Sequence, residues 1–125
     1  MRAPALILFT VALFSAAHVR ADDTTAINKL IADINAVAKT NKARIMRIII
    51  INTDVSAEML EQEKARTGLS LGEVYVAHSL AMASHKTFGQ IVAAKGSRQS
   101  WAQVAAANKV SLKGSTAALK QMLKE

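Results

Sequence analysis

The sequence predicts an all-α protein, in which a signal peptide precedes one small multi-helix domain with short, steeply packed C-terminal helices. Three observations support this prediction. Of the 125 residues, 51% are hydrophobic but only 4% aromatic, and there are one Pro and five Gly. This composition disfavours both a disordered chain and a turn-dense β-sandwich. Apolar residues at helical spacing and three helix-capping patterns complete the argument.

The first 21 residues are typical of a signal peptide. Met1 and Arg2 precede an uncharged stretch from Ala3 to Ala17, which is shorter than the roughly 20 residues that a membrane-spanning helix needs. A V-x-A pattern ends at Ala21, and Ser15-Ala16-Ala17 offers a second cleavage site. We therefore expect cleavage after Ala21, a periplasmic or secreted protein, and one domain over 22–125 without a transmembrane segment.

Charge is distributed unevenly along the chain expected to remain. Without residues 1–21 it carries 14 basic and 9 acidic side chains, a formal charge of +5. Residues 22–73 hold 7 basic and 8 acidic side chains, whereas residues 74–125 hold 7 basic and one acidic. The basic half could attract an anionic partner, or simply keep a small domain soluble. The candidate contacts are Lys109, Lys113, Lys120 and Lys124.

Two N-terminal helices are expected within residues 22–52. From Thr24 to Lys39, apolar residues recur at offsets 0, 3, 4, 7 and 10, starting at Ile27, and so share one helical face. The stretch 43–51 includes four consecutive isoleucines, which also suit a buried strand. We favour a helix here, because a single strand would leave its backbone groups unpaired. The strand remains the alternative.

Short capped helices are expected over residues 53–125. Ser56 can cap a helix from Ala57 to Thr67, which Gly68 ends. Three capping boxes then predict helices at about 71–83, 88–95 and 101–108, and a last helix is expected over about 112–123. In each box a hydroxyl and a Glu or Gln three residues later satisfy backbone N–H groups, the pairs being Ser70 with Glu73, Thr87 with Gln90, and Ser100 with Gln103.

Four segments between residues 53 and 112 resemble a group of small secreted bacterial proteins of unknown function. The segments are Thr67-Gly68-Leu69-Ser70-Leu71-Gly72-Glu73, Ala77-His78-Ser79-Leu80-Ala81, Lys86-Thr87-Phe88 with Gln90-Ile91, and Ser100-Trp101-Ala102-Gln103-Val104-Ala105. They correspond in order to the group's GEL or GEV, SLA, KSFDxI and GWGxIA patterns. The chain departs from the group in having Ser and Ala beside its Trp, and His85 before Lys86. The resemblance implies an exported, bacterial, all-helical domain and brings no catalytic residues.

Residues 101–123 also resemble a helix-turn-helix. A first helix, a turn over 108–111 and a basic second helix would place Lys113, Ser115, Thr116 and Lys120 near a groove or phosphates. We nevertheless do not expect nucleic acid to be the partner of an exported protein, and short helix pairs arise wherever small helical domains pack.

Reactive side chains are few. There is no cysteine, which excludes disulfides, thiolate zinc sites and a Cys nucleophile. His78 falls on the apolar row of its helix, as expected for a hydrogen-bonded core residue, and His85 follows the helix end. Glu73, His78 and His85 are separated by 5 and 7 residues, unlike paired helical metal ligands four residues apart. We expect no enzyme activity, metal or cofactor.

Phe88 and Trp101 occupy equivalent positions at the start of two capped helices. We expect them to anchor these helices in a shared core, although an aromatic platform for sugar or peptide is the alternative. The sequence as a whole predicts an exported, non-enzymatic interaction module of the cell envelope or of secretions. Its expected partner is an envelope protein or an anionic envelope polymer. The second hypothesis is a helix-turn-helix-like protein that binds nucleic acid.

Overall fold

A computed structural model describes residues 21–125, without the side chains of residues 21, 22, 114 and 115. Over this range the chain is all-helical and contains no strand. Its helices are α1 (Ala21–Thr40), α2 (Lys42–Thr53), α3 (Ala57–Thr67), α4 (Leu71–Ser84), α5 (Phe88–Lys95), α6 (Trp101–Ala107), α7 (Leu112–Ser115) and α8 (Ala117–Lys124). The predicted signal segment lies, except for Ala21, outside the described residues.

The isoleucine-rich stretch 43–51 is part of helix α2, so the preference for a helix is confirmed. Ile48 and Ile49 are buried, Ile50 is half-buried, and Ile51 is 63% exposed. The exposure of these consecutive side chains thus increases from the core side of the helix to its solvent side, as expected for neighbouring positions around a helix. The Asn41 side chain caps the start by accepting from the Arg44 N–H.

All three predicted capping boxes are present. Ser70, Thr87 and Ser100 accept from the backbone N–H three residues later, and each paired Glu or Gln accepts from the cap's own N–H. The caps start α4, α5 and α6 where the sequence predicted. The first helical residues differ in burial, however, because Phe88 is only half-buried, whereas Leu71 and Trp101 are buried.

Two predicted boundaries are wrong. Helix α1 begins three residues before Thr24, and the last helix is split into α7 and α8. The split falls at Thr116, whose buried hydroxyl donates to the carbonyl oxygen of Leu112 over 2.6 Å. A threonine hydroxyl bonded to the preceding turn bends a helix, and Gly114 lowers the helix propensity of the same stretch.

Helix α4 lies at the centre of the fold and packs against α1, α2, α3, α5, α6 and α7. Helix α1 approaches α4 closely at Gly72, because this residue has no side chain. A Cβ atom at Gly72 would lie 2.6 Å from the carbonyl oxygen of Ile31. The Gly72 N–H donates to Oδ1 of Asn35 over 2.8 Å, which satisfies a donor that a helix start otherwise leaves free.

The C-terminal helix is joined to the N-terminal half of the chain. Arg44 Nη2 donates to the carbonyl oxygens of Met122 and Leu123, at 2.9 and 3.4 Å. These carbonyls belong to the last turn of α8, where a cation also suits the helix dipole. Helix α8 accordingly packs against α2.

Candidate functional site

A groove runs along α1 and brings the four candidate lysines to one side of the molecule. We call it the α1 groove, and define it as two adjoining hollows that share Ala26, Leu30 and Lys120 in their lining. One hollow lies between α1 and the segment from α6 to α8, and the other lies between α1 and α8. Asp23 and Val37 mark its ends on α1, which corresponds to about 21 Å of helix.

The first hollow has a volume of about 600 Å³ and an apolar floor. Ile27 and Leu30 of α1 meet Ala102 and Ala105 of α6, and Leu112 of α7 closes one end. These five side chains are each 4 to 6% exposed. They therefore belong to the core and present a thin apolar surface to the hollow.

The second hollow has a volume of about 550 Å³. Val37 and Leu123, both half-buried, supply its apolar surface. Lys29 and Asp33 of α1 lie on its other side and pair with each other over 2.9 Å. This pair leaves the lysines of α8 as the uncompensated charge of the second hollow.

The four candidate lysines form the rim of the groove. Lys109, Lys113 and Lys120 line the first hollow, and Lys120 and Lys124 line the second. Lys109 sits in a left-handed turn after α6, with φ 57°, and the following Val110 N–H donates to the Ala105 carbonyl over 2.9 Å. Helix α7, which follows this turn, contacts α1.

The rim is a zone of net positive charge. Among the described side chains, no carboxylate lies within ion-pairing distance of Lys109, Lys113, Lys120 or Lys124. Asp23 is the acidic residue that lines the first hollow beside three lysines. Several lysines around a concave surface raise the local concentration of anions. An apolar floor with a cationic rim can hold a partner that carries both kinds of surface.

Trp101 lies in the core, as the anchor interpretation expects. It is 4% exposed, its indole N–H donates to Glu73 Oε2 over 3.0 Å, and Lys95 Nζ lies 5.2 Å from the ring centroid. The same Glu73 accepts from the Ser70 N–H through its other oxygen. Glu73 thus links the capping box of α4 to the anchor of α6, a connection that spacing alone did not predict.

Phe88 is half-buried and stacks on His78, with ring centroids 4.4 Å apart. The two aromatic residues therefore do not form one exposed surface. Phe88 covers an imidazole, while Trp101 is enclosed elsewhere.

His78 lies in the core, and its placement there is confirmed. Its Nε2 atom lies 2.5 Å from Glu63 Oε1, and both residues are buried. This contact joins α3 to α4. The partner was missed in the sequence, although Glu63 follows the buried Leu60 by three residues and so shares its helix face.

The remaining metal candidates are separated in the structure. Glu73 bonds to Trp101, His78 to Glu63, and His85 ends α4 in the left-handed conformation, with φ 60°. In the part of the chain that the structure describes, no three His, Asp or Glu side chains are grouped as a metal would require. None of the helices described between residues 21 and 125 has the length and apolarity to span a bilayer.

Residues 101–124 form two helical segments joined by a turn, but the second is not one continuous helix. It is broken at Thr116, and α8 packs against α2. Lys113 and Lys120, which the helix-turn-helix hypothesis places near a groove or phosphates, line the hollow against α1.

Comparison with models of known families, with curated proteins and with solved structures finds no match. The resemblance to small secreted bacterial proteins stays a prediction from the sequence.

Proposed function

We propose that this chain is an exported, non-enzymatic binding module of the cell envelope or of secretions, and that the α1 groove holds its anionic partner. The observation that carries the proposal is the position of four lysines, separated along residues 109–124, around one concave surface with an apolar floor. Long-range attraction brings an anion to such a rim, and the floor adds short-range contact.

We infer that the module is non-enzymatic from the positions of its reactive side chains. The two histidines within the described residues have structural positions, His78 in a buried contact with Glu63 and His85 at the end of α4. Export is supported by the pattern of the first 21 residues.

The test compares two variants with equal charge. The rim variant replaces Lys109, Lys113, Lys120 and Lys124 by Gln. The control variant replaces four exposed basic residues outside the groove by Gln, namely Lys39, Arg47, Arg66 and Arg98. Each protein is mixed with vesicles of anionic lipid, vesicles of neutral lipid, anionic wall polymer and unrelated DNA duplexes at about 150 mM salt, where charges are screened beyond roughly 8 Å.

We expect the unchanged protein and the control variant to be retained on an anionic lipid or polymer, and the rim variant to be released. Equal retention of both variants would mean that net charge, and not the groove, causes binding. Sequence-selective binding to DNA would favour the helix-turn-helix hypothesis instead. Retention on none of the four materials would contradict an anionic partner.

A further inference from the structure

The α1 groove carries a more specific inference about its ligand. We propose that it binds a single-chain anionic amphiphile, a long-chain fatty acid, with the carboxylate at the lysine rim and the acyl chain along the apolar floor. The inference rests on the proposed function and names the ligand class of the same site.

The shape and lining of the groove support an elongated apolar group. It follows α1 for about 21 Å, from Asp23 to Val37. Ile27, Leu30 and Leu112 form a narrow apolar strip along the floor of the first hollow, beside the polar side chains of Ser111 and Thr116. Each hollow falls in the range of about 300 to 1,000 Å³ that is typical of small-molecule sites.

The charge pattern supports an anionic head group. The first hollow is lined by Lys109, Lys113 and Lys120, and its acidic residue is Asp23. The second hollow is lined by Lys120 and Lys124, and its acidic residue, Asp33, is already paired with Lys29. Lys120 lines both hollows, and it is half-buried. Its position at their junction places a cation at the point where two apolar surfaces meet.

Other occupants match the groove less well. Residues 1–20 are apolar enough, but they contain Arg2 and Arg20 and no acidic residue, so they would bring positive charge to a lysine rim. A second copy of this chain is also positively charged overall. A wall polymer or nucleic acid has the right charge, but it has no flexible apolar chain to cover the floor.

The experiment measures dissociation constants of the full chain for fatty acids of 8, 10, 12 and 14 carbons, below their micelle concentrations. Full burial of one methylene is worth about 0.8 kcal/mol, or about fourfold in affinity, so on the thin apolar surface of this open groove each added methylene should tighten binding by less than about fourfold until the floor is filled. The rim variant should bind each fatty acid about tenfold more weakly, while the control variant should match the unchanged protein.

A second pair of variants tests the floor without disturbing the core. Ala26 is exposed and lines both hollows, whereas Ala43 is exposed on α2 outside the groove. We expect Ala26→Phe to abolish the dependence on chain length and Ala43→Phe to leave it intact. The melting temperature of each variant shows whether it is folded.

The outcomes separate this inference from the proposed function. Lysine-dependent retention on anionic polymer or vesicles, with fatty-acid affinity independent of chain length, overturns the inference and leaves the proposed function standing. Absence of binding to any anion overturns both. Fatty-acid binding by a chain that lacks residues 1–20, but not by the full chain, would show that residues 1–20 cover the groove and would overturn an external ligand.

Discussion

Trp101 illustrates how one side chain can serve both packing and hydrogen bonding. Its ring is buried, and its N–H reaches the carboxylate that also completes the capping box of α4. A buried indole donor needs such a partner, because an unpaired donor costs about 1 to 3 kcal/mol. The anchor of α6 is thereby fixed to the start of α4.

Replacing Trp101 by Ala should lower the free energy of unfolding by about 3 to 5 kcal/mol, because it leaves a cavity and an unpaired Glu73 oxygen. Trp101→Phe also removes the N–H donor but retains most of the apolar contact, so it should cost less than Trp101→Ala. Urea denaturation of both variants measures the difference. A free energy of unfolding that does not change in Trp101→Ala would contradict the burial of the ring.

The burial of Tyr75 predicts how the stability of the protein changes at alkaline pH. The residue is 1% exposed, and burial raises its pKa while the nearby Ser79 hydroxyl partly opposes the shift. The unfolded phenol ionises near pH 10. Because the pKa in the folded protein is higher, this contribution to stability is complete below about pH 10 and is lost as the pH rises further.

Tyr75→Phe should therefore remove part of the loss of stability above about pH 10. The measurement is the free energy of unfolding at several pH values from 7 to 11, taken as the difference between the two proteins. All other ionisable groups are common to the two proteins, so their effect cancels in this difference. A difference that stays constant across the range would show that the folded phenol ionises as freely as the unfolded one.

Among the helices, the contact between α1 and α4 depends on the absence of one side chain. Gly72 brings the start of α4 against the backbone of Ile31, and Asn35 accepts from its N–H. The two helices pack this closely because nothing at position 72 separates them.

Gly72→Ala should destabilise the protein by about 1 to 3 kcal/mol, since backbone atoms must move to admit the methyl group. Gly89 provides the matched control in the first turn of α5, where an added Cβ atom would come no closer than 3.9 Å to a neighbour. Gly89→Ala should be neutral or stabilise by up to about 1 kcal/mol. Thermal melts of both variants check this, and equal effects would contradict close packing at Gly72.

The helices whose start signals are local could be predicted from the sequence, and the contacts between helices could not. Ser70, Thr87 and Ser100 cap helices through groups three residues away, so spacing identifies them. Glu63 meets His78 only after α3 and α4 pack, and periodicity does not reveal which faces meet. The break at Thr116 was missed because the sequence does not show that its hydroxyl bonds to the preceding turn.

At the scale of the whole molecule, the candidate site could also be predicted from the sequence only in part. The four lysines could be named from the charge of the C-terminal half. Their arrangement around a groove could not, because one wall is α1, which lies about 80 residues earlier in the chain. Charge is a property of the sequence, whereas concavity depends on the tertiary packing.

For the protein as a whole, we expect material recovered outside the cytoplasm to begin at Asp22. Cleavage after Ala21 would remove only the first residue of α1 as the structure bounds it. N-terminal sequencing of fractionated cells tests this. The control is Ala21→Leu, which removes the small residue at the cleavage point and should move the start to His18. Full-length chain confined to the cytosol would contradict export.

The central position of α4 has a consequence for how the molecule opens. Amides on a helix that contacts six others can exchange with deuterium only when most of the fold comes apart. The protection of the backbone N–H groups of Tyr75 to Leu80 should therefore correspond to the free energy of global unfolding. Helix α5, with one fully buried residue, should exchange through small local openings that leave the rest of the protein intact.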